Sequence, residues 1–179
     1  MPRLFVAIDL PEEINEQLAD IGGHLDGIRW YDAHQLHMTL KFIGEVQRVK
    51  FESIREKLNQ INGDAFELTV DGLGYFPPKR HPRVIWAGVQ ANERLLGLQQ
   101  DIKDVLSKEG IEPDNRKFKP HITLGKNIAV NKRKVEQFIN DEGHDLLIQQ
   151  VPVNQFKLYS SELNPQGAIH RIEQIYLLK

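Results

Sequence analysis

The chain of 179 residues sets 23 Lys and Arg against 25 Asp and Glu, a formal net charge of −2, with 40% hydrophobic residues and no cysteine. This balance excludes a protein that grips long nucleic acid through its overall field, so any phosphate contact must come from local basic clusters. The lack of cysteine excludes disulfides, thiolate nucleophiles and Cys-ligated zinc, and the length suits one compact unit, residues 1–179, of two lobes sharing a core.

β-Branched and aromatic residues over 3–9 predict a first strand. Its apolar run, 4–8, stops at Asp9, too short for a signal-peptide core or a membrane span. The expectation is therefore a soluble, cytoplasmic protein. Asp9 and Pro11 supply a cap and first turn for a helix carrying Ile14, Leu18, Ile21 and Leu25, with Glu12 and Glu13 at its positive end. A short apolar piece, Ile28-Arg29-Trp30, leads to a strand over 36–44. Phe51, Ile54, Leu58 and Ile61 mark a second helix stopped by Asn62-Gly63. Phe66, Leu68 and Val70 alternate as a strand, punctuated by Gly72 and Gly74, and three prolines within 77–82 demand a loop. A strand over 83–89 precedes a third helix carrying Leu95, Leu98, Ile102 and Val105 and closing at Gly110. After a strand over 120–126, Asn131 caps a fourth helix with Val135, Phe138 and Ile139, which Gly143 stops. Strands over 146–148, 153–159 and 169–177 complete the chain, the last two joined by the turn 164–167. No exposed apolar helix stripe stands out, so a monomer is expected.

Two tetrapeptides in this series match. His37-Met38-Thr39-Leu40 and His121-Ile122-Thr123-Leu124 each place a histidine two residues before a threonine, and they hold two of the three threonines in the chain. On a strand the His and Thr point to one face and Met38, Leu40, Ile122 and Leu124 to the other, so one face is chemistry and the other core. The motifs lie about half the chain apart, which suggests two similar halves related by a pseudo-twofold axis, although no further residue-level repeat is evident. If both motifs face one cleft, two imidazoles and two hydroxyls converge. That suits displacement at phosphorus, which needs a base on the attacking side and an acid on the leaving side. An imidazole with an ordinary pKa near ~6.5 does either. The hydroxyls donate to the non-bridging oxygens. The chemistry calls for no metal and no other cofactor, and the chain has no His-Glu-x-x-His pattern; His34, near His37, is not expected to complete a metal site.

The motifs and their flanks resemble the RNA 2′,3′-cyclic phosphodiesterases (2′-5′ RNA ligase-like) of the two-histidine, or 2H, phosphoesterase superfamily. The resemblance spans most of the chain. It is carried by Arg3-Leu4-Phe5-Val6-Ala7-Ile8, the first motif extended to Lys41-Phe42-Ile43-Gly44-Glu45, Pro82-Arg83-Val84-Ile85-Trp86-Ala87-Gly88-Val89, the second motif preceded by Phe118-Lys119-Pro120, and Leu158-Tyr159-Ser160-Ser161. It implies an α+β fold, bilobal and 2H phosphoesterase-like, with two pseudo-symmetric lobes whose antiparallel-rich sheets line a central cleft and whose helices lie outside. It implies hydrolysis of a 2′,3′-cyclic phosphate, at RNA 3′ ends or on small cyclic nucleotides, to a 2′-phosphomonoester. His37 would be the proton donor to the departing 3′ oxygen, His121 the proton acceptor that activates water, and Thr39 and Thr123 phosphate ligands. Two positions depart from the pattern. Lys126 stands where the family often has Arg, keeping a charge for the phosphate without the bidentate fork, and His170 stands where a Tyr often follows the hairpin Gly.

The remaining features have plainer readings. His24, His81, His144 and His170 fall in loops or helix ends and should be solvated, and Trp30 and Trp86 should be core. Of the basic clusters, 79–83 and 116–119 lie near cleft-forming strands beside aromatic residues and could touch flanking RNA phosphates, whereas 132–134 reads as an exposed helix face. Two alternatives stand beside hydrolysis: RNA end joining, in which a 5′-hydroxyl replaces water to give a 2′-5′ linkage, and a nucleotide-phosphate-binding module without chemistry.

Overall fold

The computed structural model describes residues Met1–Lys179 as an α+β fold with two antiparallel sheets. One sheet takes β1 (Arg3–Ile8), β3 (Met38–Glu45), β8 (Gln155–Asn164) and β9 (Gly167–Leu177) in the order β3-β1-β8-β9. The other takes β2 (Ile28–Trp30), β4 (Phe66–Phe76), β5 (Val84–Val89), β6 (His121–Asn127) and β7 (Leu147–Val153) in the order β2-β6-β5-β4-β7. Four helices accompany them: α1 (Glu12–Ile21), α2 (Arg48–Leu58), α3 (Glu93–Lys108) and α4 (Lys132–Gly143). No helix is long and apolar enough to cross a membrane.

The alternation in the motifs positions the core. Met38, Leu40, Ile122 and Leu124 are all buried, and they belong to one cluster of 29 residues that draws on both sheets and on Leu18 of α1, Ile54 and Leu58 of α2, and Leu95, Ile102 and Leu106 of α3. Each such side chain contributes about 1.5–3 kcal/mol by leaving water. A smaller cluster of Ile28, Ile85, Val130, Val135 and Phe138 fixes α4 to the second sheet. His37, Thr39, His121 and Thr123 are only half-buried. They stand on the opposite face of their strands.

Several boundaries differ from expectation, each for a local reason. The first helix ends at Ile21 and one 3-10 turn, Gly22–His24, follows, so Leu25 leaves the stripe. The Trp30 indole lies 2.7 Å from where a Cβ on Gly22 would stand, which reserves that position for glycine. Pro11, not Asp9, takes the cap position, and no side chain caps the helix. α2 stops at Leu58, although Ile61 still packs into the core. β4 runs through both expected punctuation glycines to Phe76. Its pairing with β5 shifts between Val70 and Leu73, where Gly72 takes φ +69°, and at Gly74 an added Cβ would meet the Trp86 ring at 2.2 Å. Val153 closes β7 instead of opening β8. His170, expected in a solvated segment, sits within β9 and faces the cleft.

Candidate active site

Both motif strands carry the same irregularity. In β3, Thr39 pairs with Ala7 and Lys41 with Val6, leaving Leu40 as an extra residue; in β6, Thr123 pairs with Trp86 and Gly125 with Ile85, leaving Leu124 extra. A bulge resets the alternation of faces. The third residue after each threonine therefore returns to the His and Thr face. In β3 that residue is Phe42, opposite Phe5; in β6 it is Lys126, opposite Val84 on one side and Arg29 on the other. The extra residues' carbonyls find donors outside these strand pairs. The buried Gln99 amide of α3 donates to Leu40 O at 3.3 Å, and the Tyr31 N–H donates to Leu124 O at 2.9 Å.

The two histidines are held alike. His37 Nδ1 lies 2.9 Å from Gln35 O and His121 Nδ1 lies 2.6 Å from Lys119 O, in each case the carbonyl two residues upstream. A carbonyl only accepts, so Nδ1 carries the proton in both rings and Nε2 is left to the cleft. On the first side the support is layered: a capping box between Asp32 and Gln35 fixes the short turn, and buried Asn15 of α1 donates to Leu36 O at 3.2 Å.

Aromatic rings hold each imidazole. Phe5 packs on both His37, at 5.1 Å, and Tyr159, at 5.2 Å, and those two rings lie 6.2 Å from each other; the His170 ring stands edge-on to His37 at 5.5 Å. Beyond them, Asp9 accepts hydrogen bonds from Tyr159 Oη at 2.6 Å and from Lys157 Nζ. Around His121, Phe76 packs edge-on at 4.9 Å and Trp86 lies at 6.0 Å, with Lys119 Nζ 4.8 Å above the Trp86 ring. Trp86 is buried, as expected, but on the His121 side of its strand.

Burial lowers the pKa of both histidines, since a desolvated imidazole resists charging. For His37 the Gln35 carbonyl and the Asp9 carboxylate push back upward, and the positive charge of His121 pushes down. For His121 the Lys119 carbonyl opposes burial while the Lys119 ammonium reinforces it. The neighbouring groups thus act in opposite senses: Asp9 offsets part of the burial effect on His37, whereas the Lys119 ammonium adds to it on His121. His170 is also lowered, first by burial and then by His37, and its Nδ1 is buried without a partner.

The two motif faces lie near enough for the charge of His121 to act on His37; Thr39 shares the face of His37, Thr123 and Lys126 share that of His121, and neither threonine hydroxyl is engaged by a protein hydrogen bond. Of the basic clusters, 116–119 reaches the site through Lys119. In 132–134, Lys132 pairs with Glu136 and donates to Lys79 O, tying that helix to the 79–83 loop. Sequence reasoning does not mark Asp9, Phe5, Lys157 and Tyr159 as site residues, and it offers Phe76 only as an aromatic beside the 79–83 cluster. Strand parity holds the signal for some of them, since Phe5, Ala7 and Asp9 alternate with the core residues Val6 and Ile8.

The LigT-like phosphoesterase family model matches residues 8–86 and 88–170, one motif in each stretch. The chain is 38% identical over 176 residues to the RNA 2′,3′-cyclic phosphodiesterase of Thermotoga maritima, covering 95% of this chain and 92% of that protein. It is 33% identical over 184 residues to the enzyme of the same name from Archaeoglobus fulgidus, covering 97% and 99%. The crystal structure of Escherichia coli LigT complexed with 3′-AMP superposes with a TM-score of 0.80 at 28% identity, over 100% of this chain and 99% of that one.

Proposed function

The chain belongs to the LigT-like phosphoesterase family, and from that premise we propose that it opens 2′,3′-cyclic phosphates, on RNA 3′ ends or small nucleotides, to leave a 2′-phosphomonoester. The observation that carries the mechanism is the matched pair of imidazoles, each with its Nδ1 proton given to a carbonyl and its Nε2 turned to the same cleft. Neutral His121 accepts a proton from water as the water oxygen bonds to phosphorus. Protonated His37 gives its proton to the 3′ oxygen as the P–O3′ bond breaks. Each ring ends in the other's starting state, and solvent restores both. Burial lowers both rings first; the smaller influences of Asp9 on His37 and of Lys119 on His121 act in the sense that this direction requires.

Thr39 and Thr123 donate to the non-bridging oxygens, and Lys126 adds a charge on the same face. Phe42, 69% exposed on that face, offers a surface for a base. Both motifs come from one chain, so the site is complete in a monomer. The substrate class fits a cytoplasmic enzyme.

The reading is tested with a 2′,3′-cyclic nucleotide in excess chelator. Turnover should persist, and His37→Ala or His121→Ala should each lower it by roughly 10² to 10⁴. Unchanged rates in either variant would remove the acid/base pairing.

A further inference from the structure

Arg29 and Lys126 face one another directly across the β2–β6 pair. Directly opposed side chains on an antiparallel pair have Cβ atoms about 4.5–5.5 Å apart, and two like charges there repel. Such a pair is normally relieved by a carboxylate. Here both side chains are exposed and neither forms an ion pair. Their direction is set by the sequence on either side of Arg29. Ile28 is buried in the α4 cluster and Trp30 packs on Phe138 of α4, so Arg29 points away from the helix layer. That is the face to which the β6 bulge returns Lys126, together with His121 and Thr123. The approach of the strands is close: a Cβ on Gly125 would meet Ile28 Cγ2 at 2.8 Å and Arg29 O at 2.9 Å. The two cations therefore cannot separate by letting the strands drift apart.

We propose that Arg29 forms a second phosphate site that binds the phosphate 5′ to the cyclic end, so that the enzyme distinguishes an RNA terminus from a bare cyclic nucleoside. The proposal rests on the cyclic phosphodiesterase reading of the His and Thr cleft and deepens it. Thr123, Lys126 and Arg29 form a series leading outward from that cleft. Lys126 lies three residues along β6, up to about 10 Å from Thr123 at ~3.3 Å per residue, and Arg29 lies one strand farther out, about 4.8 Å to the side. β2 is the edge strand of its sheet and Arg29 is exposed on it, which leaves room for a continuing chain to approach. A phosphodiester between the two cations would supply the missing counter-charge, and the guanidinium fork suits its two free oxygens. A 5′-phosphate on a mononucleotide has the same chemistry. An RNA diester is favoured because the series continues to a sheet edge and is not enclosed.

The test measures kcat/KM for three substrates with wild-type protein and Arg29→Ala: a 2′,3′-cyclic mononucleotide with a free 5′-hydroxyl, the same nucleotide bearing a 5′-phosphate, and a dinucleotide ending in the cyclic phosphate. The variant should lose about tenfold or more on the dinucleotide, as expected for a charge-assisted contact, and stay within about twofold on the 5′-hydroxyl mononucleotide. A matching loss on the 5′-phosphorylated mononucleotide supports a site that reads any 5′ phosphate, and retention there supports one that reads the diester. Arg29→Lys should recover part of the loss. Equal losses on all three substrates, or no loss on any, overturn the proposal. The 5′-hydroxyl mononucleotide also reports on folding and on the cleft itself: if wild-type protein turns over none of the three, the phosphodiesterase reading has failed rather than Arg29 alone.

Discussion

Each motif imidazole is aimed by a backbone carbonyl, and a carbonyl fixes the tautomer without adding charge. The charge that separates the two rings comes from farther out, and it makes the pH profile a test of single residues. The acid must hold its proton and the base must lack one, so kcat/KM follows a bell whose limbs are the two imidazole pKa values. Both lie below the ordinary 6.5 because both rings are desolvated. The optimum should therefore fall on the acid side of 6.5. Asp9 raises the pKa of His37, so Asp9→Asn should move the alkaline limb to lower pH and leave the acidic limb, which belongs to His121, in place. An unmoved alkaline limb would show that Asp9 only supports Tyr159 and Lys157. At this scale the motif residues were legible in the sequence because their spacing carries the information. Asp9 and His170 were not, because their roles arise from contacts between segments about 130 to 150 residues apart.

The bulges are the elements on which the site depends, and no residue type announces them. A bulge is seen only when two strands are paired, so alternation alone placed Thr39 and Thr123 correctly but could not place Phe42 and Lys126. The same limit explains β4, where two glycines looked like an end and instead serve a shifted register and a ring packed on the strand. Helices with a clear cap were legible to within a residue or two: Asn131 accepts from Lys134 N–H at 3.0 Å, as expected. Gln99 tests the bulge in β3. It is 7% exposed and donates to the carbonyl of the extra residue. Gln99→Leu should cost about 1–3 kcal/mol in urea unfolding by leaving that carbonyl unpaired. It should also slow turnover, because Thr39 and Phe42 flank the bulge. Unchanged stability would mean that water or another donor serves Leu40 equally well.

Across the whole molecule, the two motif environments are alike but are not two halves of the chain: the sheet of the first motif takes strands from both ends of the sequence, and Phe76, from its first half, packs on His121. Both sheets repeat the carbonyl to Nδ1 contact, the bulge after the threonine and an aromatic ring packed on the imidazole. The two sheets differ in the side chain that each bulge returns to the motif face, the Phe42 ring in one and the Lys126 cation in the other. The central claim, directed opening of a cyclic phosphate by two histidines, is tested most directly by phosphorus NMR of a defined RNA ending in a 2′,3′-cyclic phosphate, incubated with the protein and chelator. The cyclic resonance should be replaced by that of a 2′-phosphomonoester; a persistent cyclic signal, a 3′-phosphomonoester or a 2′-5′ diester would contradict that claim.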